Sequence, residues 1–532
     1  MGKSPFGKPQ YILLSGIPEE VRSMRVKKRI MEWERKFGQV QSSSNIESGW
    51  IESPISRTKV EFMTDEQWLK AIEKYKTLKD KHPDDLKGGA RELSRELEVQ
   101  AHKHGQRFAK LVLHLPQDCY HGYYDAIIRG ITKKETYKFD KKQDKIPPSE
   151  SASFEDICSV IRYVSTLKGN PCAKEICEGV ARLADYNWPE DILKYIVNCA
   201  VDPNNSIDNI IVEKSCEDIY INGINTVPGV AAITIARLLS ENDNRFKIFK
   251  PAILHLINHH SAAVRSCAAA CCSAMLKIDR DKALEYFLKL TDINDERLLA
   301  TPKVKEFLYS AYHTHYNELK KIIKTMVKSR ESKVAEIGTI VQIRSWLEYG
   351  KGEELTQICL NGSKTNRLEL AKLFAKNYFE KKYFERVKEY LKNLFNDPSK
   401  EVRNAALQVF GKFGGSEVDQ LKEILSICLK SPVFWDNPSV VLQALERCYS
   451  VDKISKEIFL LSDLMSTELT KNSRYLEKSL FLDVSVMIKL VLRLYDQGSY
   501  CSEIRSKCLD VIDQMLKARI GEVINELKDI ER

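Results

Sequence analysis

Apolar residues in the stretch 397–411, Asp-Pro-Ser-Lys-Glu-Val-Arg-Asn-Ala-Ala-Leu-Gln-Val-Phe-Gly, recur at helical spacing. Val402, Ala405, Ala406, Val409, Phe410 and, just beyond, Phe413 fall at i, i+3, i+4, i+7, i+8 and i+11, which predicts a helix with one inward stripe. Asp397 stands where an N-cap belongs and Pro398 where a first-turn proline is tolerated. The two alanines predict close approach by a neighbouring helix. The same six offsets return in Val264, Cys267, Ala268, Cys271, Cys272 and Met275, and five of them in Ile504, Cys508, Val511, Ile512 and Met515. Each copy has an arginine after its first position, Arg403, Arg265 and Arg505. Weaker copies run through Val334, Ile337 and Val341, through the position of Arg367 with Leu370, Ala371, Phe374 and Ala375, and through Val441, Ala444, Leu445 and Cys448. Their starts lie about 35 residues apart, or twice that, as in helical-pair repeats. Thr301-Pro302 and Asn437-Pro438 add two more cap-plus-proline starts. The expectation is an all-α chain whose residues 151–532 form an α-solenoid.

Residues 1–150 read as helical but irregular. A highly charged helix is expected over 18–37, then a Ser/Gly/Pro-bearing loop over 38–56. A helix over 64–75 opens with a capping box of Thr64 and Gln67 and puts Trp68, Ala71, Ile72 and Tyr75 on one face. Further helices are expected over 89–104, 107–115 and 123–131. A Lys-rich segment, 133–148, ends in a Pro-Pro pair and marks the expected domain boundary.

Composition narrows the class. The 532 residues are 43% hydrophobic and 30% charged, which is the balance of a folded chain too long for one core. The net charge of +9 comes from 83 basic residues against 74 acidic ones, so the surface is mixed; nucleic acid is permitted rather than indicated. Of the 14 cysteines, Cys267, Cys271, Cys272, Cys428, Cys448 and Cys508 occupy apolar helical positions and none forms a Cys-x-x-Cys pair, so they read as small buried hydrophobes in a reducing compartment. The amino terminus has no apolar signal core, and the most apolar long helix, over 479–495, is broken by Asp483, Lys489 and Arg493. A cytoplasmic protein is the expectation.

Candidate chemistry is sparse. Gly2-Lys3-Ser4 lacks the rest of a phosphate-binding loop. The close pairs His102/His104, His259/His260 and His313/His315 do not converge on one helix face, and Cys267, Cys271 and Cys272 coincide with a core stripe. No catalytic, cofactor or metal residues are assigned. Tyr378, Phe379, Lys381, Lys382 and Tyr383, followed by Phe384, interleave aromatic rings with positive charge, which suits an acidic partner or stacked bases. The alternative is a bend with buried rings and solvated lysines. Tyr120, Tyr123 and Tyr124 form a lesser patch of the same kind. Lys320, Lys321, Lys324, Lys328 and Arg330 make a basic helix face.

The Val-Arg-x-x-Ala-Ala run after Asp-Pro resembles HEAT repeats. That resemblance implies that inner helices line a binding surface and that Asp397, Arg403, Arg265 and Arg505 belong to a ladder tying successive repeats. Residues 62–71 (Phe-Met-Thr-Asp-Glu-Gln-Trp-Leu-Lys-Ala), 87–94 (Lys-Gly-Gly-Ala-Arg-Glu-Leu-Ser) and 106–109 (Gln-Arg-Phe-Ala) look like the region downstream of the ATPase in large bacterial STAND-type ATPases, several of them in antiviral, AVAST-like systems. Residues 5–11 are similar to the same region. The resemblance implies a helical-repeat sensor that grips a viral protein, here without the effector and Walker motifs, as a fragment, a split gene product or a shortened relative. A non-enzymatic, protein-binding solenoid of a bacterial antiphage system is therefore expected, with a phage protein as ligand, an ATPase or effector as possible partner and no cofactor. Alternatives are a nucleic-acid-binding HEAT-like protein, including the base-excision type, and a scaffold of a bacterial complex.

Overall fold

The computed structural model describes residues 7–17, 19–38, 51–78, 88–134, 150–202, 212–292, 294–471, 478–498 and 501–517, and among them it is helical with no named strand. The expected linker falls largely outside the described residues, as do most of the 38–56 loop and the start of the 5–11 resemblance. The chain forms two compact units, with the boundary between Leu167 and Lys168 except that Lys134 belongs with the second unit.

In the first unit, α1 (Lys8–Ser15) and α2 (Met24–Phe37) pack together through Tyr11, which is buried against Trp33 and Phe37. A one-turn helix, α3 (Arg57–Val60), precedes α4 (Asp65–Lys74), whose capping box is fully formed: the Gln67 N–H donates to Thr64 Oγ1 at 3.3 Å and the Thr64 N–H to Gln67 Oε1 at 2.8 Å. Trp68, Ala71, Ile72 and Tyr75 are buried, and Trp68 meets Phe108 edge to face at 5.9 Å. Then come α5 (Ala90–Lys103), α6 (Gly105–Leu111) and α7 (Gly122–Ile131). Helices α5 and α7 touch backbone to backbone at Gly130, where a Cβ would stand 2.7 Å from both Ala101 Cβ and the Glu98 carbonyl. The unit closes with α8 (Phe154–Ser165), which packs on α6 and α7. This helix lies beyond the boundary expected at 150. Its stripe of Ile157, Cys158, Val160, Ile161 and Val164 is amphipathic like those of the repeats but is spent on the first unit.

The second unit is a succession of helix pairs. It starts with α9 (Ala173–Arg182), α10 (Glu190–Val201), α11 (Cys216–Ile224) and α12 (Val227–Glu241). Regular pairs follow: α13 (Phe246–Ile257) with α14 (Ala262–Met275), α15 (Arg280–Thr291) with α16 (Pro302–Ala311), α17 (Tyr316–Lys328) with α18 (Ser332–Tyr349) and α19 (Glu353–Leu360) with α20 (Lys364–Asn377). Next come α21 (Phe384–Leu394) with α22 (Lys400–Leu407), then α23 (Val418–Leu429) and α25 (Pro438–Arg447) around the single turn α24 (Val433–Asp436). The last are α26 (Ser455–Lys471), α27 (Lys478–Gln497) and α28 (Ser502–Lys517). Second helices pack on second helices, α9 on α12, α12 on α14, α14 on α16, and again α18 on α20 and α20 on α22. First helices stack similarly, α10 on α13 and α13 on α15. We call these the B layer and the A layer of an α-solenoid.

The expected stripes build this stacking. All six of Val264, Cys267, Ala268, Cys271, Cys272 and Met275 are buried in α14. In α22, Val402 and Ala406 are buried and Ala405 only half-buried, with Leu407 taking the second small-residue slot. The helix ends there, and a tight turn (Phe410–Lys412) carries the last apolar residues inward. Asp397 does not cap it: Ser399 holds the N-cap position, and Asp397 Oδ1 accepts the Ser399 N–H at 2.8 Å. Thr301 and Asn437 do flank the prolines that open α16 and α25, without a side-chain cap bond.

Asp397 is instead a rung of the ladder. Arg403 donates to the Asp397 carbonyl at 2.8 Å and, with two nitrogens, to Asp436 at 2.6 and 3.0 Å. Arg367 does the same one repeat earlier, to the Gly362 carbonyl at 2.7 Å and to Asp397 at 2.6 and 3.4 Å. Arg265 bonds the His259 carbonyl at 2.6 Å and the Leu290 and Asp292 carbonyls, both at 3.1 Å, so its rung uses main chain rather than a carboxylate. Among the described residues Arg505 forms no such rung; it lies over the Tyr495 ring at 4.3 Å and donates to its hydroxyl at 2.7 Å. A second set of arginines reaches back to carbonyls at helix ends and the turns that follow them. Arg245 takes Ala184 and Tyr186 (2.9 and 2.6 Å), Arg386 takes Trp346 and Leu347 (3.1 and 2.7 Å), and Arg447 takes Phe410 and Phe413 (2.8 and 3.3 Å).

Candidate partner interface

One side of the B layer is open to solvent, with Arg237, Ser240, Glu241, Lys277, Glu306 and Ser310 exposed along it. Across α9, α12, α14 and α16 this open side sinks into a groove of about 730 Å³. Its floor is made by the small, nearly buried residues Ala236, Ala270 and Ala274. Ser240, Ser273 and Ser310, one on each successive B helix, also line it. Their hydroxyls donate to carbonyls four residues back, at 2.9, 3.3 and 3.0 Å, so the oxygens retain acceptor capacity.

The rim is charged with both signs. Arg182 is held by Glu175 at 2.6 Å and Glu178 at 3.2 Å, and Lys303 by Glu306 at 2.7 Å. Asp185 pairs with Lys134 at 2.5 Å, a hydrogen bond that holds its carboxyl below the usual range. Arg237 and Lys277, both exposed, form no ion pair among the described residues. Further along the B layer, Arg344 stacks on Tyr309 at 4.9 Å, and Tyr349, 49% exposed, packs on Tyr312 and His313.

The aromatic-lysine run 378–383 lies at the turn from α20 to α21, not on this face. Tyr378 is fully buried; its ring packs on Phe379 and Phe384, both at 5.1 Å, and its hydroxyl donates to the Gln420 carbonyl at 3.0 Å. It therefore cannot present a face to a partner, and burial pushes its phenol well above the usual range. Phe379, half-buried, leans on Phe413 at 5.5 Å. Of its aromatic and basic residues only Lys381 and Lys382 are exposed, beside the exposed Glu380, with Lys382 lying over the half-buried Tyr383 at 4.9 Å. The bend with inward rings and outward lysines is what forms. Tyr123 and Tyr124 are likewise buried, with hydroxyls on the Tyr75 and Leu115 carbonyls at 2.9 and 3.2 Å.

The other candidates also resolve into packing. Cys267, Cys271 and Cys272 are buried in α14, and burial pushes Cys267 and Cys272 up to about 12. His102 contacts the Gly130 carbonyl at 3.3 Å, and His315 bridges Thr314 and Asp281. His259 stacks on His260 at 4.3 Å and accepts the Ser261 N–H at 3.1 Å. On α17, Lys321, Lys324 and Lys328 are exposed to solvent on the A layer, with Arg330 exposed just beyond the helix. No single helix among the described residues is long and apolar enough to cross a membrane.

Arg237 and Lys277 escaped the sequence reading because that reading sought charge and aromatics contiguous along the chain. Residues that converge on a solenoid face come from successive repeats, about 35 residues apart. The signal available was a basic residue just outside the apolar stripe of consecutive B helices.

Solved structures similar to this chain include three at low identity. One is from a study of Kap95p with RanGDP (12% identity, TM-score 0.44, covering 88% of this chain and 70% of that one), and another is a Kap95:Nup1 complex (13%, 0.42, 87% and 68%). The third is the Pds5–Scc1 complex (12%, 0.23, 89% and 72%). No family model matches the chain, and no curated protein matches it.

Proposed function

We propose that the chain is a non-enzymatic, protein-binding α-solenoid that holds its partner on the open side of the B layer. The observation that carries this reading is the makeup of that face: small residues below, serine oxygens between, and interleaved positive and negative side chains around them. Such a surface offers many modest, complementary contacts to a protein. Its cations are spaced between Asp185, Glu241 and Glu306 and form no continuous positive track of the kind a phosphate backbone follows. The cysteines singled out in the sequence, Cys267, Cys271 and Cys272, are committed to packing, which supports a binding role over thiol chemistry.

The finer reading, that the partner is a viral protein and the chain the sensing part of an antiphage system, rests on the resemblance of residues 62–71, 87–94 and 106–109. Several of these positions, Trp68, Leu93 and Phe108 among them, are core residues of the first unit. Affinity capture with the full chain from phage-infected and uninfected bacterial lysates tests both levels. Enrichment of a viral protein only from infected cells is the expected result. Equal capture of a host protein from both lysates would overturn antiphage sensing, and capture of nothing would overturn protein binding.

A further inference from the structure

The groove across α9, α12, α14 and α16 carries enough chemistry to name an occupant, on the reading that the open B-layer face binds protein. We propose that it holds an acidic peptide segment, whose carboxylates are taken by Arg237 and Lys277 and whose main-chain N–H groups are accepted by the serine oxygens. Arg182, Lys303 and Asp185 are already neutralised by partners on their own or neighbouring elements. Arg237 and Lys277 are the rim cations without one among the described residues, so the uncompensated charge offered to a ligand by basic side chains sits at these two positions.

The floor selects for main chain. Ala236, Ala270 and Ala274 leave no side chain to hold a backbone away, and a volume of about 730 Å³ is ample for a few residues of peptide. Ser240, Ser273 and Ser310 have spent their hydrogens on helix carbonyls and present acceptors. A peptide supplies N–H donors for these together with carboxylates for the cations. A nucleic-acid backbone supplies the negative charge but no N–H donors for these serine oxygens.

The test uses the purified full chain and fluorescence anisotropy with three labelled probes: a short Glu-Ala copolymer peptide, the same peptide with Lys for Glu, and oligothymidylate. The Glu-Ala peptide is expected to bind and to weaken as salt rises, and the Lys peptide is not. The double variant Arg237→Glu, Lys277→Glu should weaken the Glu-Ala peptide by about tenfold or more. Because both side chains are exposed and unpaired, circular dichroism and melting should match the wild type. Lys321→Glu, Lys324→Glu on α17 is the control and should leave binding unchanged. Equal binding by the double variant, equal loss in the α17 control, or oligothymidylate binding abolished by the double variant would each overturn the assignment. A partner captured from lysate whose retention survives the double variant would also overturn it, while leaving the protein-binding reading standing.

Discussion

Asn366 occupies the slot that Val264 and Val402 fill in their own repeats, one position before the ladder arginine, and it is as buried as they are. A polar side chain is tolerable there because every group is used. Its oxygen accepts the Ser363 N–H at 2.8 Å, and its amide donates to the Val327 carbonyl at 3.1 Å and to Thr339 Oγ1 at 2.7 Å. Asn366→Val keeps the volume and removes these side-chain bonds: Ser363 still caps the 366 N–H, but the other half of the capping box is lost and a buried carbonyl is left without its partner. The expected loss is about 2 kcal/mol of unfolding free energy, measured by urea titration. His259 gives a pH-dependent counterpart. Burial, reinforced by His260, His255 and Arg265, holds it at about 4, against an ordinary value of 6.5. Between those two values the unfolded chain binds a proton that the folded one refuses, so stability falls as pH drops from about 6.5 to 4 and levels off below. Discounted for partial exposure, the loss should be on the order of 2 kcal/mol. His259→Gln should flatten that part of the stability–pH profile; an unchanged slope would show that other groups produce it.

At the scale of elements, contact distance is set by residues with no side chain to spare. A Cβ at Gly223 would stand 2.3 Å from the Ala263 carbonyl and 2.7 Å from Cys267 Sγ, so α11 sits directly on the backbone of α14. Gly223→Ala must push the two helices apart, and a loss of about 2–3 kcal/mol is expected in thermal or urea unfolding, although alanine is the better helix former. Helices and their inward faces were largely legible in the sequence: the capping box at Thr64, the six-residue stripe of α14 and the starts at Pro302 and Pro438 all stand where periodicity put them. What periodicity could not supply was the identity of the neighbour. The stripe of α8 has the same form as a repeat stripe yet packs into the first unit, so the boundary lies at 167 rather than 150. It also slipped by one residue in α20, where Arg367 was read into the buried slot that belongs to Asn366. An amphipathic pattern records that a face is buried, and a polar residue with all its bonds satisfied inside looks, in sequence, like a surface residue. The site was less legible for a related reason: Tyr378 looks accessible beside Lys381 and Lys382, and only the packing of Phe384 and Phe413 around it and Phe379 shows that the run turns its rings inward.

For the molecule as a whole, a repeat array has a consequence that a single core does not. Each helix pair contacts chiefly its neighbours, so opening is local and its free energy varies along the chain. The cysteines report this without any engineered label, since of the fourteen only Cys501 is exposed and none is in a disulfide. A thiol reagent attacks the thiolate, and burial pushes Cys508 up to about 11 and Cys271 well above its ordinary value, so reaction inside requires the surrounding helices to part. Native protein should therefore label quickly at Cys501 alone. Cys508 should follow, because α28 packs on α26 and α27, whereas Cys267, Cys271 and Cys272 sit on α14 among α11, α12, α13, α15 and α16 and should label last. Timed labelling in sub-denaturing urea, with each site resolved by peptide mass spectrometry, measures the order directly. If Cys508 and Cys271 gained label at one common rate, the second unit would be opening as a single cooperative block, and the picture of stability as a sum over neighbouring repeats would fail.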